Sequence, residues 1–349
     1  MFRRLKLLIG PLGLALILLI SACVPAAVAP TTMPAAVNPI RVSPTATPTL
    51  PPLTATPTLV PAASPTSRPT AAPLTLTDGL SHTIQLAAPP QRIISLAPSN
   101  TEIVFATGAG SQLIGRDALS DYPAEAAKLT SIGSVLDKLN TEAIVALKPD
   151  LILAAEINSP DQVKTLQDLG LTIYWLPNPK TYDDLYQNLQ TVGRLTGHLD
   201  EAQKLVDSLQ ARFAAVIDKV KGATTRPTVF YEIDGTDPIK PWTPGPGTFL
   251  DTVITLAGAQ NVGRMLKDPY AQISSEELIK QNPDIIILGD TPYGVTIDSI
   301  GQRAGWKSIA AVKSKAIYSF DDNLLSRPGP RLIDGLEQMA KLLHPELFK

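Results

Sequence analysis

Short runs of β-branched and aliphatic residues alternate with longer amphipathic stretches over most of the chain. The runs 92–96, 150–154 and 172–176 predict buried strands, and the stretches 101–107, 160–169 and 182–195 predict helices. A second series follows, with strands at 228–233, 284–288 and 316–320 and helices at 248–257, 275–281 and 331–343. Two α/β lobes are implied, at 74–197 and 223–349. Between them, Leu205, Leu209, Phe213, Val216, Ile217 and Val220 recur at helical spacing across 199–220. Asp200 is a candidate cap and Gly222 a candidate stop. A helix of that length, roughly 30 Å, is long enough for 198–222 to bridge the lobes.

The lobes share a repeat. Residues 140–153 match 274–287: each reads as a capped helix, a Pro-Asp turn and a buried strand. Upstream, 101–115 ends in Leu113-Ile114-Gly115 and 248–263 in Asn261-Val262-Gly263. Two related open sheets facing each other leave a crevice outside the carboxyl ends of their strands, where such folds bind ligands.

The start of the chain differs in kind. Arg3, Arg4 and Lys6 precede an apolar run at 7–20 that ends in Ile20-Ser21-Ala22-Cys23. This reads as a secretory signal at 1–23, too short for a comfortable bilayer span. The small residues before Cys23 resemble the lipobox of bacterial lipoproteins, which implies lipid on Cys23 and an extracytoplasmic location. An uncleaved anchor helix is the alternative. Cys23 is the only cysteine, so no intramolecular disulfide forms. Residues 24–73 are rich in Pro, Thr, Ala and Ser, with Arg41 and Arg68 their only charges, and read as a disordered tether reaching on the order of 100 Å. The net charge of −2, with no basic run, argues against nucleic acid as a partner.

Three segments carry a family resemblance: Arg92-Ile93-Ile94-Ser95-Leu96-Ala97-Pro98-Ser99-Asn100-Thr101-Glu102, then Ser120-Asp121-Tyr122-Pro123, then 142–150. As an ordered set they resemble the substrate-binding proteins of iron-siderophore and cobalamin ABC importers, closest to the cobalamin-binding branch. The resemblance implies two α/β lobes joined by one long helix, an ATP-driven permease as partner, no enzymatic activity and no cofactor. It also gives Glu142 and Glu276, one per lobe, the task of docking to permease arginines. In the first turn of a helix either carboxylate also favours the helix dipole.

The same resemblance assigns ligand contacts to Asn100, Trp242, Tyr270, Asp322, Asn323 and Arg327. Trp242 and Tyr270 fall where the cobalamin branch has aromatic side chains; Leu119, Leu136 and Ala155 occupy others of those positions. Trp242 lies in a proline- and glycine-rich stretch that reads as a loop facing the ligand, whereas Tyr270 fits core packing as well as contact. Residues 321–327 align with a cleft loop, and solvated loop residues are the alternative there.

Rival functions weigh less. His82, His198 and His344 are too scattered in sequence for a Mn or Zn site. A ferric siderophore or haem is the alternative ligand, with Arg116 and Arg327 as partners for an anion. No nucleophile elbow or phosphate loop is present, and Glu232, Asp234 and Asp237 are the one imaginable acid/base set.

Overall fold

A computed structural model describes residues 73–349, apart from 135, 137 and 138. The signal, Cys23 and nearly all of the tether lie outside the described residues. A hairpin of β1 (Leu74–Thr77) and β2 (Thr83–Leu86) opens the described chain. Next come β3 (Ile93–Ser95), α1 (Pro98–Ala106), β4 (Leu113–Arg116), β5 (Thr130–Ser131), α2 (Thr141–Ala146), β6 (Leu151–Ala155), α3 (Pro160–Asp168), β7 (Ile173–Leu176) and α4 (Tyr182–Thr196). Their strands form a parallel sheet in the order β5-β4-β3-β6-β7.

The helix α5 (Leu199–Val220) leads to the second lobe: β8 (Thr228–Glu232), β9 (Trp242–Pro244), α6 (Phe249–Leu256), β10 (Gln260–Asn261), β11 (Tyr270–Gln272), α7 (Ser275–Gln281) and β12 (Ile285–Leu288). Then follow α8 (Ile297–Ile300), α9 (Ala310–Ser314), β13 (Ile317–Ser319), α10 (Asn323–Ser326) and α11 (Leu332–Leu343). Here the parallel sheet runs β10-β8-β12-β13, and β9 pairs with β11 in a separate antiparallel ribbon.

The α/β class and both series of elements agree with the sequence pattern, and α5 spans the expected residues. Its cap differs. His198 occupies the N-cap with no side-chain bond, while Asp200 sits inside the first turn, where a carboxylate meets the positive end of the helix dipole instead of capping it. Trp242 also departs from expectation, because it starts strand β9 rather than lying in an irregular loop.

The repeat has a physical basis. In each copy a side chain caps the helix, Asn140 accepting from the Ala143 N–H and Ser274 from the Glu277 N–H. Ile144 and Leu278, at matching positions, are fully buried. A left-handed residue ends each turn, Lys148 at φ 47° and Asn282 at φ 49°. The following aspartate ties the turn to the neighbouring strand. The Asp150 carboxylate accepts from the Gln91 and Arg92 N–H groups (2.8 and 3.0 Å), and that of Asp284 accepts from the Thr228 N–H and hydroxyl (both 2.8 Å).

Strand alternation divides the core. Ile94, Ile152 and Ala154 face a cluster confined to the first lobe, and Phe230, Ile286 and Leu288 one confined to the second. Ile93, Leu151 and Leu153 point the other way, as do Val229, Tyr231 and Ile287. Those inner faces join through α4, α5, α6 and α11 into one continuous apolar core. Arg212 of α5 reinforces the joint by bonding Asp334 and Glu337 of α11, and the Tyr182 hydroxyl of α4 donates to the Leu332 carbonyl (3.0 Å).

Because Asp150 and Asp284 do the same work in separate lobes, Asp150→Ala and Asp284→Ala should each lower the unfolding free energy by about 1–2 kcal/mol. Urea denaturation of both single variants and the double checks this, the double being expected to equal the sum.

Candidate functional site

Two adjoining cavities of about 420 and 480 Å³ lie between the lobes and share Glu156, Asn178, Ser326 and Pro328. Their walls come from the segments just beyond the carboxyl ends of strands in both sheets. Ala97, Pro98 and Ser99 follow β3, Leu119 follows β4, Glu156 and Ile157 follow β6, and Asn178 and Lys180 follow β7. From the second lobe, Ile233 follows β8, Tyr293 follows β12, and the stretch from Asp322 to Pro328 follows β13. The crevice therefore sits where open parallel sheets expose their binding edge.

The first cavity is lined by Tyr270, Phe249, Leu250 and Ile233, with Asp322 and Glu156 as acids and Lys180 as base. Tyr270 reaches it because β11 runs unusually close to the Pro244–Gly247 segment. Gly245 donates to the Pro269 carbonyl at 2.7 Å, and a Cβ on Gly245 would stand 2.2 Å from the Asp268 carbonyl oxygen. The Tyr231 hydroxyl, buried at the sheet edge, donates to Asp322 at 2.7 Å. Burial pushes the Asp322 carboxyl above its ordinary range; the bonds from Tyr231 and Ser326 offset part of that, and Asp321 adds to it.

The second cavity has an aliphatic wall beside several polar groups. Leu119, Leu136 and Ala155, which the family resemblance sets at aromatic positions of the cobalamin branch, all line it, together with Ile157 and the 82% exposed Tyr293. Ser99, Asn323 and Arg327 supply polar contacts.

An electrostatic seam crosses from lobe to lobe beside this cavity. Glu102 of α1 is 2% exposed and takes two bonds from Arg331, Nε at 2.8 Å and Nη2 at 2.6 Å. The Tyr122 ring lies 4.0 Å from the same guanidinium. Burial raises the Glu102 pKa, with Arg331 opposing. Arg327 bonds Asp121 through Nη1 and lies 3.9 Å from Glu102.

Of the residues assigned to the ligand, Tyr270, Asp322, Asn323 and Arg327 are brought together in the cleft. Asn100 is not: it is fully buried in α1, lines neither cavity, and neither amide atom has a hydrogen-bond partner among the described residues. Trp242 is 41% exposed and lines neither cavity. Its partner across the ribbon is Gln272, which puts it on the Tyr270 face but two pairs farther along. Arg116 turns away from the cleft, donating to the carbonyls of Asp117, Ala118 and Ala126. Glu232 is buried in a two-pronged pair with Arg303, Asp234 bonds Thr236, and Asp237 caps the turn at Ile239, so the three form no acid/base set. His82 lies by the first hairpin, His198 precedes α5, and His344 is buried against Gly258. Glu142 and Glu276 occupy the same exposed place in the first turn of α2 and α7.

Residues 93–324 match the family described as periplasmic binding protein. The chain belongs to that family. An uncharacterized ABC transporter substrate-binding lipoprotein of Bacillus subtilis, YvrC, is 32% identical over 279 residues, 78% of this chain and 86% of that protein. The vitamin B12-binding protein of Pectobacterium atrosepticum is 33% identical over 260 residues, 73% of this chain and 89% of the relative. Among solved structures, the periplasmic heme-binding protein RhuT from Roseiflexus sp. RS-1 superposes with a TM-score of 0.67 at 26% identity, covering 74% of this chain and 99% of that one.

Asp322 gives the site a pH signature. Its folded pKa lies above the unfolded one, so its contribution to stability is full at low pH and is lost as pH rises through the folded value. Asp322→Asn should therefore melt higher than wild type at neutral pH, with the gain vanishing on acidification toward the ordinary carboxylate range. Melting curves of both proteins across that range check the sign.

Proposed function

We propose that the protein is the extracytoplasmic substrate-binding component of an ABC importer, that it captures a corrinoid between its lobes, and that it delivers the ligand to the permease. The cleft carries this reading: two cavities, each within the range of small-molecule sites, adjoin through shared residues and so suit a ligand wider than either. Tyr270 offers aromatic surface on one side, and Leu119, Leu136 and Ile157 offer aliphatic surface on the other. The polar groups are spread along both cavities, which suits a broad macrocycle with hydrogen-bonding substituents. Similarity to a vitamin B12-binding protein supports the ligand class. The role is binding rather than catalysis.

In this reading lipid on Cys23 holds the protein at the membrane and residues 24–73 form the tether. Glu142 and Glu276 dock to permease arginines; each stands exposed at the second position of a capped helix, one per lobe, as a pair contacting both halves of a partner requires. Haem or a ferric siderophore is the second reading. Tyr293 favours it, since a phenolate is one of the side chains that ligate haem iron, and the fold is shared with a heme-binding protein.

Titrating cyanocobalamin and haemin separately into the purified protein, followed by absorbance and calorimetry, distinguishes the two. Cobalamin is expected to bind one to one, and Tyr270→Ala to weaken it by about 2 kcal/mol, with Trp242→Ala, on the rim, costing less. Tight haemin binding without cobalamin binding would transfer the assignment to haem. Glu142→Gln and Glu276→Gln should leave ligand affinity unchanged and reduce ligand-dependent stimulation of the permease ATPase, because the amide keeps the shape but loses charge assistance. Undiminished stimulation in the double variant would remove the docking role.

A further inference from the structure

Arg327 and Lys180 are the cations among the residues that line the two cavities. The Arg327 side chain is 16% exposed, and a guanidinium stays charged at any physiological pH. It therefore requires an acceptor. Among the described residues its one hydrogen-bond acceptor is Asp121, reached through Nη1 alone, which leaves Nε and Nη2 without an acceptor there. Glu102, 3.9 Å away, is already doubly bonded to Arg331.

Asp121 belongs to the opposite lobe and its side chain is 66% exposed. Its loop is well held. Arg116 ties the loop through the carbonyls of Asp117, Ala118 and Ala126, and the Asp117 carboxylate accepts from the Leu119 N–H at 2.8 Å. The bond from Arg327 holds the Asp121 carboxyl below its ordinary range.

We propose that Asp121 is a built-in competitor at Arg327, the cation already assigned to the ligand by the family resemblance, and that it is displaced when a carboxylate or phosphate group of the ligand takes the guanidinium. The inference rests on the cleft being the ligand site, as proposed above, and adds a charge requirement to it. A ligand oxyanion can accept two parallel bonds from the Nε edge, a geometry that Asp121 does not use. Two carboxylates beside one guanidinium repel, so the exposed one leaves. The outer bridge between the lobes then opens, while the Glu102–Arg331 pair, capped by the Tyr122 ring, persists. Neutral ligands of the same shape gain nothing at Arg327 and leave Asp121 in place.

The test uses Asp121→Asn, Arg327→Gln and the double variant. Each is titrated with haemin, which carries carboxylates, with cyanocobalamin, which carries a phosphodiester, and with inorganic phosphate followed through the Arg327 Nε resonance by NMR. Asp121→Asn should tighten whichever oxyanion ligand binds by about threefold to tenfold, more at low ionic strength. Arg327→Gln should weaken it by about tenfold or more, and in its background Asp121→Asn should bring no gain. The pigment that tightens names the oxyanion's source. In the phosphate arm, Asp121→Asn should shift half-saturation of the Arg327 resonance downward by the same factor. An unchanged or weaker response to Asp121→Asn in every arm overturns the proposal. If neither pigment binds the wild-type protein while the phosphate arm responds as expected, the corrinoid and haem readings fall and the assignment of Arg327 stands.

Discussion

The pair formed by Glu102 and Arg331 fixes the relation of the two lobes to each other. Glu102 belongs to a helix of the first lobe, has almost no contact with solvent and receives both of its bonds from the second lobe. Burial alone pushes its carboxyl toward the neutral form, so its charge is tolerable only while the guanidinium of Arg331 is in place. A buried ion pair of this kind adds little net stability, yet a shift of one lobe that leaves either charge buried without its partner costs several kcal/mol. The constraint thus acts against lobe separation more than for folding. The shared apolar core acts in the same direction, because Val206, Leu209 and Val216 of α5 are buried in one cluster with residues of both lobes.

Much of this architecture was legible because it is written in local constraints. The helix, Pro-Asp turn and strand at 140–153 and 274–287 repeat because each aspartate must satisfy backbone donors of an adjacent strand and each turn needs one left-handed residue. The face of α5 was legible because 22 residues average over many turns of periodicity. Its cap was not. An aspartate near a helix start serves equally well as cap or as first-turn carboxylate, and Asp200 takes the second role. Strand β9 was hidden for a different reason: three residues ending in Pro244 and preceded by Pro241 cannot display an alternating pattern.

The candidate site was legible where a family motif marked it and obscure where only topology did. Residues 321–327 supply four of the cleft's polar side chains, Asp322, Asn323, Ser326 and Arg327, and Leu119, Leu136 and Ala155 line the second cavity together. Glu156, Asn178 and Tyr293 carried no motif of their own. The usable signal for the first two was position, each two residues past the end of a predicted strand, 150–154 and 172–176, where a parallel sheet delivers side chains to its binding edge. Asn100 shows the converse failure. It stands inside a motif, yet the same first turn of α1 that brings Ser99 to the cavity buries its neighbour.

The distribution of polar groups orients whatever the cleft receives. On the side of the first cavity, Tyr231 anchors Asp322, whose carboxylate oxygens accept hydrogen bonds. It suits the N–H groups of ligand amides. On the side of the second cavity, Arg327 offers fixed positive charge and only donors. Between these poles lie Tyr270, Leu119, Leu136 and Ile157, which reward flat or aliphatic surface without regard to direction. A ligand entering reversed would set an oxyanion against Asp322 and Glu156 and leave the guanidinium without its partner. Orientation is therefore decided at the two ends of the cleft, while the extent of its middle governs how much apolar surface is buried.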